Sequence, residues 1–229
     1  MARVTGFLES LSGKIGNVVI VHRGNKTFIQ RRPGKREKKP TPEQVRVMDI
    51  FSLAGKIAKS ICSIDELKFF WPRTRWNNRS SYVRLFKANY NCLDIEDLTG
   101  GIVLTDIFGF DLIEPLINIG EDEITLEAGI SRYTGLDNNQ ELKDIIAAGV
   151  IILKSPTEEW MPKYEVLPFK SEKNLFNTEK RITFHSPFKG NNLLKFKSYS
   201  IKKAFAVLIK LDKDGKPLGY SHTFSNEDI

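Results

Sequence analysis

Two strand-like runs near the start of the chain predict a β-hairpin. Residues 15–21 are mostly β-branched, and residues 27–31 form a second such run after the turn residues Gly24-Asn25. Residues 31–40 contain two prolines and no other apolar side chain, so they cannot bury much surface. We therefore expect residues 1–40 to form a β-hairpin arm and an extended linker.

Apolar residues at helical spacing follow this linker. Thr41-Pro42-Glu43-Gln44 supplies an N-cap, a proline at the first helical position and a glutamine placed for a capping box. Apolar residues then recur at intervals of three and four. The inward face of this helix is expected to contain Val47, Ile50, Phe51, Ala54, Ile57, Ala58 and Ile61. Ser63 with Glu66 predicts a second helix, and Asn77 is the expected cap of a third that runs through residue 89.

After about residue 93 the pattern changes to short apolar runs. Residues 123–127 alternate as a half-buried strand does, and residues 137–148 are expected to form a further helix or helical turn before an apolar strand at 150–153. Other strands are expected at 164–167, 181–185, 193–199, 204–211 and 218–224. The predicted fold class is α+β: a hairpin arm (1–40) and helices (41–92), then a mostly antiparallel, β-rich, sandwich-like body (93–229).

Charge is distributed unevenly along the chain, although the net charge is only +7. Residues 1–40 carry ten Lys/Arg against two Asp/Glu, and residues 41–90 carry nine against four. Residues 91–160 carry three Lys/Arg against fifteen Asp/Glu. A basic front beside an acidic middle suits either a polyanion partner or head-to-tail contacts between copies.

Composition excludes several classes of protein. No apolar run is long enough to span a membrane, and the first residues lack the apolar run of a secretory signal. We therefore expect a soluble protein without membrane contact, in the cytoplasm or in a particle assembled there. Cys62 and Cys92 are too few for a disulfide scaffold and are expected to be reduced.

No residue pattern indicates catalysis. His22, His185 and His222 are isolated from one another and from any Cys or carboxylate at metal-ligand spacing. The acidic run 121–123 is expected to be a solvated surface, and no glycine motif of the kind that cradles phosphate appears. We predict no catalytic, cofactor-binding or metal-binding residues, and hence no enzyme.

The predicted partner-binding residues lie in two segments. An extended basic strip can follow a phosphate backbone or an acidic protein surface. In the arm and linker these residues are Arg23, Lys26, Phe28, Arg31, Arg32, Lys35, Arg36, Lys38 and Lys39. A second group interleaves aromatic rings with arginines, as base-stacking surfaces do, but the same pattern fits a core with arginines at its rim. It contains Trp71, Arg73, Arg75 and Trp76.

Three short motifs lie near the N-terminus: residues 12–19 (Ser-Gly-Lys-Ile-Gly-Asn-Val-Val), Arg31-Arg32-Pro33 and Thr41-Pro42-Glu43-Gln44. Together they resemble the N-terminal signature of an uncharacterised, phage-associated family of unknown function from Bacteroidota. The family has a Gly-Lys-Ile/Val-Gly hairpin, an Arg-x-x-Pro turn and a Thr-x-x-Gln helix start before a β-rich remainder. Here the turn is one residue shorter. The resemblance implies a standalone protein with no assigned catalysis, and it supplies no functional residues.

Two hypotheses follow. In the first, the chain is a structural or assembly protein fixed into a larger complex by its basic arm, with Val18, Ile20, Phe28 and Ile29 buried against other protein subunits, either copies of itself or different proteins. In the second, the same arm and the Trp71–Trp76 patch bind nucleic acid without sequence preference.

Overall fold

The computed structural model describes residues 2–4, 13–23, 26–32, 34, 39–71, 80–94, 101–105, 109–131, 142–175 and 181–226. The chain divides into two compact units, Met1–Pro42 and Glu43–Ile229. We call the first the N-terminal sheet unit and the second the body.

The N-terminal sheet unit contains a four-stranded antiparallel sheet. Its strands are β1 (Ala2–Val4), β2 (Gly13–Ile15), β3 (Val18–Arg23) and β4 (Lys26–Arg31), in the spatial order β1-β4-β3-β2. The predicted hairpin is the β3–β4 pair. A second hairpin joins β2 to β3 through Gly16-Asn17, and Gly16 has a φ of 56°, a value that glycine adopts without strain. This two-residue turn is the signal that the sequence analysis missed.

The body begins with helices and continues with two sheets. Its elements are α1 (Pro42–Cys62), α2 (Asp65–Phe69), α3 (Ser81–Tyr90), β5 (Leu112–Ile119), β6 (Glu123–Ile130), β7 (Leu142–Pro156), β8 (Tyr164–Lys170), β9 (Asn174–Leu175), β10 (Ile182–Pro187), α4 (Gly190–Lys197), β11 (Tyr199–Asp212), β12 (Pro217–Tyr220) and β13 (Phe224–Ser225). The six-stranded sheet has the order β12-β11-β7-β8, with β13 beside β11 and β9 beside β7. The three-stranded sheet has the order β10-β6-β5. The predicted α+β class, β-rich and antiparallel, is confirmed.

Two hydrophobic clusters lie on opposite faces of the six-stranded sheet. On one face, Ile146 and Val207 pack with buried residues of the three N-terminal helices of the body. On the other face, Ala147 and Leu208 pack with buried residues of the three-stranded sheet. The two sets alternate along β7 and β11 because successive side chains of a strand point to opposite faces. Helices and strands therefore share the core of one unit.

Two segments differ in type from the sequence prediction. Residues 142–148 belong to β7 and are not helical, while residues 137–141 lie outside the described residues. This strand is buried on both faces from Ile145 to Leu153, so its sequence shows no alternation that would separate it from a buried helix. Residues 193–197, expected to begin a strand, end α4 instead. Phe196 is buried there and its ring stacks on Phe188 at 4.5 Å between centroids.

The N-terminal helices show three smaller differences. Helix α1 begins at Pro42 as predicted. Its buried residues begin only at Leu53, so Val47 and Phe51, expected on the inward face, are 51% and 60% exposed. Helix α3 is capped by Ser80, whose Oγ accepts from the backbone N–H of Val83 at 3.4 Å; Asn77 lies outside the described residues. In the expected second capping box, Ser63 Oγ instead donates to the carbonyl oxygen of Ser60 at 2.6 Å.

Gly149 allows β7 and β11 to approach closely at the centre of the six-stranded sheet. A Cβ atom at this position would lie 2.0 Å from the carbonyl oxygen of Phe205 on β11 and 2.7 Å from the ring of Phe169 on β8. Both distances are far below van der Waals contact. No residue larger than glycine fits here without displacing the sheet.

Replacing Gly149 by alanine is expected to lower the free energy of unfolding by about 3 kcal/mol, because the added methyl group overpacks the core. Gly101→Ala is the matched control, since a Cβ atom at Gly101 meets nothing within 4 Å. Chemical denaturation of both variants measures the difference. A Gly149→Ala protein as stable as the wild type would contradict this packing.

Candidate protein-binding surface of the N-terminal sheet

One face of the N-terminal sheet is largely apolar. The register sets Gly13 opposite Ile20 and Ile20 opposite Ile29, and it sets Ile15 opposite Val18, so their side chains share a face. Ile20 is 6% exposed, Val18 and Ile29 are half-buried, and Ile15 is 57% exposed. We call Ile15, Val18, Ile20 and Ile29 the apolar face.

The opposite face of the same sheet carries three basic side chains together with half-buried residues, which are Val19, Val21, Phe28 and Gln30. Lys14 is opposite Val19, Val21 is opposite Phe28, and Arg23 is opposite Lys26. The three basic residues are exposed and Phe28 is half-buried. We call Lys14, Arg23, Lys26 and Phe28 the basic face. Phe28 therefore does not lie with Val18, Ile20 and Ile29, with which the sequence analysis grouped it.

Most predicted basic residues of the arm that the structure describes are at the surface of the sheet or just after it. Arg31 and Arg32 are exposed, and the Arg32 backbone N–H donates to the carbonyl oxygen of Asn17 at 2.7 Å, which ties the end of β4 to the β2–β3 turn. Lys39 is exposed as well. Lys35, Arg36 and Lys38 lie outside the described residues.

The Trp71 patch belongs to the core of the body. Trp71 is 7% exposed, and its Nε1 donates to the carbonyl oxygen of Leu104 at 2.9 Å. The Arg84 guanidinium lies 5.5 Å from the centre of its ring. Of the two interpretations left open by the sequence, Trp71 fits the core with an arginine at its rim. Arg73, Arg75 and Trp76 lie outside the described residues.

The three histidines occupy separate sites, each beside a different neighbour. His22 Nδ1 lies 2.8 Å from Thr27 Oγ1 in the N-terminal sheet. In the body, His185 Nδ1 lies 3.6 Å from a carboxylate oxygen of Glu123. The third, His222, has its Nε2 3.4 Å from Oδ1 of Asp111. Within the described ranges, no three His, Cys, Asp or Glu side chains come together as a metal site would require.

Two lysines that the sequence analysis did not single out are buried. Lys210 is 1% exposed and its ammonium lies 4.2 Å from the centre of the Phe110 ring. Lys203 is 4% exposed and lies 5.5 Å from the centre of the Phe205 ring. Contacts of this kind with aromatic rings stabilise a cation away from water.

The chain matches no protein-family model and no curated protein sequence. The resemblance seen in residues 12–51 therefore stays a prediction. In the part of the chain that the structure describes, none of the helices combines the length and the apolar character needed to cross a membrane.

Cys62 and Cys92 are the two thiols of the chain and differ in environment. Cys62 is half-buried, and burial raises the pKa of its thiol, an effect that the charge of nearby Lys68 partly opposes. Cys92 is exposed just after α3. Since the thiolate is the reactive form, a raised pKa and limited access both slow the reaction of Cys62.

Iodoacetamide at pH 8 is expected to alkylate Cys92 about tenfold faster than Cys62 in the folded protein. Peptide mass spectrometry at a series of reaction times gives both rates in one sample. The same reaction in denaturant is the control, and there the two rates should approach each other. Faster alkylation of Cys62 in the folded protein would contradict the burial of its side chain.

Proposed function

We propose that the chain is a non-enzymatic assembly protein whose N-terminal sheet unit docks onto another protein subunit through its apolar face. The observation that carries this proposal is the partial exposure of that face: Ile15 is 57% exposed and Val18 and Ile29 are half-buried, whereas Ile20 between them is buried. Four short strands have little core of their own to stabilise them. An apolar surface on so small a unit is typical of a binding site.

The charges around the apolar face support a protein partner with an acidic surface. Arg31 is opposite Val18 at one end of the face, and Arg32 and Lys39 follow in the chain. Complementary charge steers the encounter and fixes the register, while the apolar contacts supply the affinity. The partner subunit therefore needs an apolar patch bordered by carboxylates.

A second copy of the chain offers acidic side chains of this kind. On the outer surface of the three-stranded sheet, Glu123 and Glu127 project from β6, and Glu121-Asp122 occupy the exposed β5–β6 turn. Arg181 pairs with Glu127 at 3.8 Å and so compensates only part of this charge. Contact between the N-terminal sheet unit of one copy and this acidic surface of the next would be head-to-tail and would build rings or filaments. In this proposal the expected sandwich-like body supports the acidic surface.

Nucleic acid is the second candidate partner, favoured by the basic face alone. Lys14, Arg23 and Lys26 share one side of the sheet with Phe28, and basic groups on the same face as an aromatic ring suit phosphate contacts beside base stacking. The two candidates use opposite faces of the same sheet. Substitutions on β2 can therefore distinguish them.

Ile15→Gln is expected to weaken self-association of the full-length protein by about tenfold, because it removes an exposed apolar contact from the apolar face. Lys14→Gln is the matched variant, since it changes the neighbouring residue on the opposite face of β2. Sedimentation equilibrium over a concentration series, together with native mass spectrometry, measures association for both variants.

Retention of a random oligonucleotide over a range of salt concentrations completes the comparison. If the wild type is monomeric at high concentration and low salt, and Lys14→Gln rather than Ile15→Gln reduces a steeply salt-dependent binding of the oligonucleotide, the assembly proposal is wrong. The nucleic-acid function would then replace it. Circular dichroism of both variants verifies that the sheet is intact.

A further inference from the structure

A groove of about 310 Å³ lies in the body between α1, β8 and the start of α4. Its charged lining consists of Lys56 and Lys59 from α1, Glu165 from β8 and Lys195 from α4. Three lysines against one glutamate give this lining a net charge of +2. All the residues that line the groove belong to the body.

Both oxygens of the single carboxylate in the groove already lie near lysine ammonium groups. Glu165 Oε2 lies 3.4 Å from Lys56 Nζ, and Oε1 lies 3.8 Å from Lys195 Nζ. Lys56 Nζ also donates to the carbonyl oxygen of Tyr164, which fixes its position. The Glu165 side chain is only 19% exposed. A cation would have to displace these lysines, so the groove disfavours metal ions and amines.

The remaining polar groups are suited to an anion. Lys59 is exposed and forms no ion pair with any residue that the structure describes. Asn192, in the first turn of α4, adds a side-chain amide to the lining. The hydroxyl groups of Ser60 and Ser63 already donate to backbone carbonyl oxygens, at 3.1 and 2.6 Å. The available donors are thus Lys59, Asn192 and the exposed side of Lys195.

We propose that this groove binds a phosphate dianion, either the free ion or a monoester. The charge of a dianion balances the net charge of the lining, and ammonium and amide groups are the usual donors to phosphate oxygens. The volume is at the lower end of the range of ligand pockets, roughly 300–1,000 Å³, and exceeds that of phosphate alone, so it leaves room for the small group that an ester carries. A phosphodiester has only one negative charge and balances the lining less well.

The test is isothermal titration of the full-length protein with glycerol 3-phosphate, a monoester without an amine, and with inorganic phosphate at low ionic strength. Binding of either probe is expected, and the tighter of the two identifies ester or free ion as the natural form. Lys59→Gln is expected to lower the affinity for the tighter-binding probe by about tenfold, because it removes a charged hydrogen bond. Added sodium chloride should weaken binding as well, since the donors are partly exposed.

Lys87→Gln is the matched control, because Lys87 is an exposed lysine of α3 that does not line the groove. It should change the affinity by less than about twofold, whereas Asn192→Ala should weaken it further in a Lys59→Gln background. The thermal unfolding midpoint of Lys59→Gln verifies that the body is intact.

Absence of binding for both probes would overturn the proposal, as would equal weakening by Lys59→Gln and Lys87→Gln, which indicates general attraction to a basic protein. Loss of oligonucleotide binding in Lys59→Gln without binding of either small probe would overturn it in favour of a phosphodiester surface. Ile15→Gln should leave phosphate binding unchanged. The outcome is therefore independent of the function proposed for the N-terminal sheet unit.

Discussion

The helical layer and the three-stranded sheet of the body are both held by one antiparallel ladder, in which β7 pairs with β11 from Tyr199–Pro156 to Asp212–Leu142. Each strand contributes alternate side chains to the two hydrophobic clusters. Both hydrophobic clusters therefore depend on the pairing of β7 with β11. The close approach at Gly149 sets the spacing on which both depend.

This constraint explains which parts of the fold could be predicted from the sequence. Elements with one solvated face show a regular spacing of apolar and polar residues, so the alternating strand β6 could be recognised from the sequence. The start of α1 at Pro42 could be recognised from its capping residues. From Ile145 to Leu153, β7 has no solvated face, and it includes Ala147 and Ala148, so this sequence is compatible with a helix. Its strand geometry comes from the pairing with β11, which is remote in sequence.

The two proposed binding surfaces also differ in how far local sequence could indicate them. The basic residues of the arm are contiguous in sequence, so charge alone indicated them, but the division of the sheet into an apolar and a basic face required the register. Phe28 and Ile29 are neighbours in the chain and lie on opposite faces. The groove proposed to bind phosphate combines Lys59, Glu165 and Lys195 from three elements, and no local pattern connects them. Such a site becomes visible only when packing brings the elements together.

The long sequence separation between β7 and β11 also sets the order in which the two units can fold during synthesis. Strands β1 to β4 pair within the first 31 residues, so this sheet can form while most of the chain is still untranslated. The six-stranded sheet cannot complete its central pairing until Asp212 has left the ribosome, because that residue pairs with Leu142. The N-terminal sheet unit can thus fold on a nascent chain whose body still lacks its central strand pair.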